Sequence, residues 1–223
     1  MFKSVLFDMD GVIVDTEPLH HKAYYQLFND VNIEVSDALY ASFTGKSTME
    51  ISQQLIKYFN LPLSAHTLTT IKRKHFKKLF KSDTSLQLID GVLDLIKDYH
   101  KNNMSLVLAS SASMKNINRI FKRFDLDQYF CAKISGADLE ASKPHPEIFI
   151  KAAELSGYSP NECFVIEDST NGILAAKAAG IYCVGYNSLH SKDQDYSKAN
   201  FVVSDFKEIS YNKLKKRVTQ KVA

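Results

Sequence analysis

Apolar residues recur in two different rhythms along this chain. Near the start, Val5-Leu6-Phe7 is a short continuous apolar run, followed by acidic residues and Gly11, and it predicts a buried strand. From about 16 to 86 the spacing is helical. Leu19, Ala23, Leu27 and Val31 recur at helical intervals behind Thr16, a residue type that caps helices, with Pro18 near the first turn. Short helical patterns follow around 36–43 and 48–59. A long basic pattern covers about 64–81, with Leu68, Ile71, His75 and Leu79 as its inward stripe. This block contains no alternating strand pattern.

From Leu86 onward helices and strands alternate. Helix 91–101 precedes Leu106-Val107-Leu108-Ala109, and helix 113–124 precedes Cys131-Ala132-Lys133-Ile134. Helix 146–156 leads to Cys163-Phe164-Val165-Ile166, and helix 170–179 to Tyr182-Cys183-Val184-Gly185, with a last short strand at Phe201-Val202-Val203. Such alternation means a parallel sheet with right-handed crossovers. The expected fold class is therefore α/β: a doubly wound, Rossmann-like parallel sheet built from residues 1–15 and 87–223. An all-helical insertion over 16–86 interrupts it. Ligands of such sheets sit beyond the carboxyl ends of the strands. An insertion that leaves just after Asp10 emerges there, where a lid is useful.

Composition narrows the class without naming a chemistry. The 223 residues can bury a core of good size, and 45% hydrophobic with 24% charged is ordinary for a globular chain. A net charge of +3 is too small to argue for nucleic acid. Cys131, Cys163 and Cys183 show no metal spacing, and buried free thiols in a reducing compartment account for them. Lys3, Asp8 and Asp10 interrupt any secretory core at the N-terminus, and no apolar run approaches the length of a membrane span. The expectation is a cytoplasmic protein with no membrane and no nucleic-acid partner. No distinct apolar patch stands out, so a monomer is expected over an oligomer. The tail Lys213-Leu214-Lys215-Lys216-Arg217 reads as a solvated basic helix.

The chemistry starts at Asp8-Met9-Asp10-Gly11. Strand side chains repeat every two residues, so both carboxylates point to one side at the strand end. Two close negative charges need a cation or a shared proton. A calcium loop counted from Asp8 fails, because its fifth and twelfth positions hold Val12 and Leu19. Alone, the pair fits turn chemistry as well as an acidic site. Three other connections decide between them, with Ser110-Ser111 after the second strand, Ser142-Lys143-Pro144 in the next, and Glu167-Asp168-Ser169 after the following strand. Together they put acid, hydroxyl, lysine and acid on one edge of the sheet. Such a set suits phosphoryl transfer. Asp8, Asp168 and Glu167 are hard oxygen donors for Mg²⁺. Asp8 can be the nucleophile, and Asp10 the acid for the leaving oxygen and the base for water. Ser110 and Lys143 can hold the phosphoryl oxygens.

These four stretches resemble the motifs of the haloacid dehalogenase superfamily, in the branch with a small helical cap after the first strand. They read Asp8-Met9-Asp10-Gly11, Leu108-Ala109-Ser110-Ser111, Ser142-Lys143-Pro144-His145-Pro146 and Glu167-Asp168-Ser169, and the match spans nearly the whole chain. The resemblance implies a Mg²⁺-dependent enzyme in which Asp8 and Asp168 bind the metal by side chain and Asp10 by its carbonyl. Glu167 is implied at or just outside the metal. Asn171-Gly172 resembles the family's tight turn into the next helix. Within the branch the chain is most similar to β-phosphoglucomutases and related sugar-phosphate phosphatases. Asp15-Thr16-Glu17-Pro18-Leu19-His20 resembles their hinge into the cap, which brings Thr16 and His20 to the substrate, and Lys115-Asn116 after the second motif is also similar. Ser111, Gly45 and Lys46 complete the expected substrate contacts. The mutases carry a Lys before the cap glycine and an Arg three residues after it. Here those places hold Thr44 and Thr48, and Lys46 lies on the other side of Gly45.

A phosphatase acting on a small phosphorylated metabolite, a sugar phosphate, is therefore the first reading, and a mutase interconverting sugar 1- and 6-phosphates the second. A phospho-accepting receiver domain would lack the helical insertion. A dehalogenase would have no use for Asp10, because halide leaves without a proton. Gly45-Lys46-Ser47-Thr48 resembles the end of a P-loop, but the glycine needed five residues earlier is Tyr40. His20 and His21 are adjacent on a helix and point about 100° apart, a poor metal pair. Lys72-Arg73-Lys74, Lys77-Lys78 and Lys81 read as a solvated basic face.

Overall fold

The computed structural model describes residues 2–44, 46–187 and 193–220, and the expected contact at Gly45 lies outside them. Among the described residues six parallel strands form one sheet, in the order β3-β2-β1-β4-β5-β6. These are β1 (Ser4–Phe7), β2 (Ser105–Ser110), β3 (Ala132–Ser135), β4 (Cys163–Glu167), β5 (Tyr182–Tyr186) and β6 (Phe201–Val203). β1 and β4 are buried throughout, as strands covered on both faces must be. Alternation then assigns side chains to layers. Val5 and Phe7 pack into one core with Tyr99, Phe121 and Phe164. Leu6 packs into the other with Val107, Phe149 and Val165. The covering helices are α5 (Val92–Lys101), α6 (Met114–Phe124), α7 (Glu147–Ser156), α8 (Thr170–Ala178) and α9 (Tyr211–Gln220).

β1 is central. Phe7 pairs with Leu108 on one side and Ile166 on the other. The chain winds outward from β1 through β2 and β3, and then from β4 through β5 and β6 on the other side. This is the switch point of a doubly wound sheet, and all strands end at the same edge there.

Four helices lie between β1 and α5: α1 (Glu17–Asp30), α2 (Asp37–Ala41), α3 (Thr48–Phe59) and α4 (Ala65–Ser82). They share a hydrophobic cluster of their own, including Leu27, Phe28, Phe43, Leu55 and Leu68. Ser47 caps α3 in a reciprocal box with Glu50, and Ser64 caps α4. The two connections to the sheet run side by side, since Val14 bridges Leu88 and Ile89 N–H donates to the Ile13 carbonyl at 3.0 Å.

Three expectations need correction. α1 stops at Asp30, so Val31 is its cap rather than part of its stripe. The inward stripe of α4 is Leu68, Thr69, Lys72, Phe76 and Phe80, about one residue out of phase with the expected one. The phase is set by α1 and the aromatic residues it brings, which the local pattern of α4 does not contain. Cys131 precedes β3 and is exposed, with only Cys163 and Cys183 buried. Among the described residues no helix is long and apolar enough to cross a membrane.

Candidate active site

The strand ends meet at the mouth of a cleft of about 350 Å³ between the sheet edge and the inserted helices α1, α2 and α3. Asp8, Asp10, Ser110, Ser111, Lys143, Glu167 and Asp168 all line it from the sheet side. From the inserted block come Glu17, His20, Tyr24, Tyr40, Thr44, Lys46 and Thr48, among others.

Lys143 lies at the centre of the charge. Its side chain is 1% exposed, and Nζ sits 2.5 Å from Asp8 Oδ1, 2.7 Å from Glu167 Oε1 and 3.2 Å from the Ala109 carbonyl. The remaining Glu167 oxygen accepts from the Ser169 backbone at 2.7 Å and from the Ser169 hydroxyl at 2.9 Å. Ser110 Oγ accepts from Ala112 N–H at 3.1 Å, which leaves its own proton to donate into the cleft. Burial pushes Asp8 up to about 7, with Lys143 drawing it back. Burial also disfavours charge on Lys143, but Asp8 and Glu167 outweigh it and hold the pKa above its ordinary value, so the group stays an ammonium.

Two glycines make room for this cluster. Gly11 has a φ of +89°, and a Cβ there would lie 2.0 Å from Asp168 Oδ2. A Cβ at Gly172 would lie 1.7 Å from Glu167 Oε1. Any other residue at either position would displace a carboxylate.

Asp8, Glu167 and Asp168 each offer an oxygen within 4.8 Å of the others, all three buried. A buried set of carboxylate oxygens suits a hard divalent cation, and one such ion would offset their mutual repulsion. The donor set does not distinguish one hard cation from another.

Asp10 has a different environment. Thr16 donates a short hydrogen bond to Oδ1. Its side chain remains 34% exposed toward the cleft, yet it lies deep in the protein, and burial raises its pKa with Thr16 opposing. His20 Nε2 is 4.0 Å from the same oxygen. On its other side, His20 Nδ1 lies 2.5 Å from Lys72 Nζ. Burial, reinforced by Lys72, lowers the His20 pKa well below its ordinary value, so the ring is neutral. A Lys72 ammonium donating to Nδ1 would place the ring proton on Nε2, facing Asp10.

Thr16 and Lys115 depart from expectation. Thr16 is fully buried, does not line the cleft and makes no capping bond, its hydroxyl having been taken by Asp10. Lys115 is exposed on α6 and does not line the cleft. His20, Ser111 and Lys46 do line it, and Lys46 Nζ is held by Gln54 Oε1 at 3.0 Å.

Lys72, expected on a solvated basic face, is instead 2% exposed. Its Nζ lies 4.6 Å from the Tyr24 ring centre and 5.1 Å from that of Phe76. The signal was present: Leu68, Lys72, Phe76 and Phe80 form an i, i+4 row with one lysine among apolar residues. Burial lowers the Lys72 pKa to about 7 from 10.5, despite attraction to Asp10 and Glu17. The folded value lies below the unfolded one, so the unfolded chain binds more protons between them. Stability from this group therefore rises with pH from about 7 to 10.5, and is lowest at and below pH 7. Lys72→Met is expected to stabilise the protein at pH 7 by roughly 1–2 kcal/mol, with the gain vanishing toward the upper value. Urea denaturation at both ends of that range checks this, and a variant less stable than wild type at pH 7 would contradict it.

A family model described as haloacid dehalogenase-like hydrolase matches residues 5–186. The phosphorylated carbohydrates phosphatase of Thermotoga maritima is 30% identical over 189 residues, 85% of this chain and 86% of its own. The β-phosphoglucomutase of Bacillus subtilis is 30% identical over 190 residues, 82% of each chain. The crystal structure of β-phosphoglucomutase from Clostridium difficile superposes with a TM-score of 0.87 at 26% identity, covering all of this chain and 99% of the other.

Proposed function

Because the chain belongs to the haloacid dehalogenase-like hydrolases and is an enzyme of that family, we propose that it is a phosphatase of small phosphorylated metabolites, with sugar phosphates as the substrate class. The observation that carries this is the assembly of Asp8, Asp10, Ser110, Lys143, Glu167 and Asp168 around one cleft. It has separate groups for attack, proton transfer and charge neutralisation. The relatives named for phosphorylated carbohydrates and for phosphoglucose point to the same substrate class.

In this reading Asp8 attacks the phosphorus atom and forms an aspartyl phosphate while the bond to the leaving oxygen breaks. Asp10 gives its proton to that oxygen. Thr16 occupies Asp10 Oδ1, which leaves Oδ2 to carry the proton, and burial keeps the group protonated at a higher pH than an ordinary carboxylate. Asp10 then takes a proton from water, which attacks the phosphorus and frees Asp8. Ser110 and Lys143 bind the phosphoryl oxygens throughout. Asp8 and Asp168, with the Asp10 carbonyl, would hold Mg²⁺. Glu167, whose oxygens are taken by Lys143 and Ser169, mainly orients the lysine. The metal, when bound, neutralises phosphate charge. The inserted helices act as a lid that excludes water and reads the leaving group.

The loop ahead of α3 and the first residue of that helix present Thr44, Lys46 and Thr48 to the cleft. The lysine and arginine that mutases of this branch place around the loop glycine are therefore threonines here, which favours hydrolysis over phosphoryl return.

The test is a panel of glucose 1-phosphate, glucose 6-phosphate, fructose 1-phosphate, fructose 6-phosphate, a nucleotide and pyrophosphate. Each is run with and without a sugar bisphosphate primer. Phosphate release is expected from at least one hexose phosphate, to fall at least about 100-fold with EDTA, and to return with Mg²⁺. Isomerisation of the 1-phosphate faster than phosphate release would make the protein a mutase. Release that survives EDTA unchanged would remove the metal from the reading.

A further inference from the structure

Between α2 and α3, Thr44 and Lys46 are both braced. Thr44 N–H and Oγ1 both donate to the Ala41 carbonyl, at 3.4 and 3.2 Å, and Lys46 N–H donates to the Phe43 carbonyl at 3.0 Å. Gln54 on α3 grips the loop twice, accepting from Lys46 Nζ at 3.0 Å and donating to Ser42 Oγ at 3.4 Å. These bonds tie Thr44 and Lys46 to the inserted helices, and one further fixed point sets how they stand against the sheet.

That fixed point comes from the sheet side. Asn171 Nδ2 donates to the Thr44 carbonyl at 3.2 Å, across 127 residues of sequence. Asn171 lies in the first turn of α8, which is tied to the catalytic cluster. Ser169 Oγ donates to Glu167 Oε2 and accepts from Gly172 N–H at 3.1 Å, and a Cβ at Gly172 would strike Glu167. The chain Glu167–Ser169–Asn171–Thr44 therefore runs from the buried carboxylates to the loop of the inserted block.

We propose that Asn171 is a positioning residue that docks the α2–α3 loop, with Thr44, Lys46 and Thr48, over the leaving group of the substrate. Discrimination among leaving groups then depends on a side chain that need not touch the substrate. This rests on the phosphatase reading for its kinetic arm only.

Two variants test it. Asn171→Ala removes the donor. Asn171→Asp keeps the shape but replaces the donor with an acceptor. An acid in the first turn favours α8, so folding is preserved. Backbone hydrogen exchange at Thr44 and Lys46 is expected to rise about 3- to 10-fold in both variants without substrate, the range for one neutral hydrogen bond. The α9 amides, remote in the fold, serve as reference. In the kinetic arm, kcat/KM is compared between the best hexose phosphate of the panel and p-nitrophenyl phosphate, whose leaving group has no sugar hydroxyls. The ratio should fall by a similar factor in both variants. Unchanged exchange would overturn the docking. A parallel fall on both substrates would overturn the role in discrimination, since damage to the cluster or charge repulsion acts on both. If wild type releases no phosphate from any compound, the phosphatase reading and the discrimination fail together, and exchange alone decides the docking.

Discussion

Asp8→Asn is expected to lower phosphate release by at least about 10⁴-fold while the protein folds as before. The size follows from the role. A group that only helps electrostatically costs about 10²- to 10³-fold when removed, whereas loss of a covalent nucleophile removes the pathway. The variant should fold because Lys143 keeps Glu167 at 2.7 Å and the Ala109 carbonyl at 3.2 Å, and Asn occupies the same space as Asp. One buried carboxylate fewer also relieves the burial that pushes Asp8 up. Steady-state phosphate release and a thermal melt on the same preparation make the measurement. Acid quench during turnover should trap a labelled phosphoprotein in wild type and none in the variant. A loss of only about 100-fold would make Asp8 an electrostatic helper, and the nucleophile would have to be sought elsewhere.

Lys143→Met should damage both folding and activity. The change keeps the length and the apolar stem of the side chain but removes the ammonium, with its place 4.9 Å over the Phe149 ring and its bonds to Asp8, Glu167 and the Ala109 carbonyl. Asp8 and Glu167 are then left buried without their shared counter-charge. Breaking a buried pair by deleting one partner costs about 3–5 kcal/mol, because the remaining charge is uncompensated. Asp8, already pushed up to about 7 with Lys143 beside it, rises further without it and takes up a proton more readily, so a deficit within that range that grows with pH is expected in metal-free buffer at pH 7–8, read by urea denaturation. The deficit should shrink as pH falls, since protonation neutralises the orphaned carboxylates. Adding Asp8→Asn should recover part of it, because the double variant buries one charge fewer. A Lys143→Met protein as stable as wild type at pH 8 would mean that the three-way pairing contributes nothing to folding. Activity should fall about 10²- to 10³-fold for loss of the cation on the phosphoryl oxygens.

Much of this site could be read from sequence because its residues follow strand ends. Val5-Leu6-Phe7, Leu106 to Ala109 and Cys163 to Ile166 are buried on both faces, so each run is apolar throughout, and the first polar residue after it marks the sheet edge. Asp8, Ser110 and Glu167 stand at those points. Lys143 follows no strand directly and was found through its neighbours in the motif. The helical insertion was legible from its unbroken 3.6-residue spacing.

Helix-borne residues were less legible, since which face of a helix is inward depends on what packs against it. Lys72 belongs to a run of cations whose other members are exposed, and only the approach of α1, with His20 and Tyr24, turns it inside. Lys115 follows the second motif closely in sequence and yet faces out on α6. Thr16 has the residue type of a helix cap, but Asp10 competes for its hydroxyl and wins.

The sequence by itself determined the layered sheet, the insertion point and the acidic stretch Asp8-Met9-Asp10-Gly11, because strand burial and strand ends are written in short local runs. Tertiary structure decided how the acids differ. Lys143 and Glu167 surround Asp8, and Thr16 and His20 flank Asp10. The contacts of Lys143 and Glu167 with Asp8 and of Asn171 with Thr44 join residues more than 100 positions apart. No local pattern encodes such a meeting, because the first depends on the order of strands in the sheet and the second on packing the inserted helices against its edge.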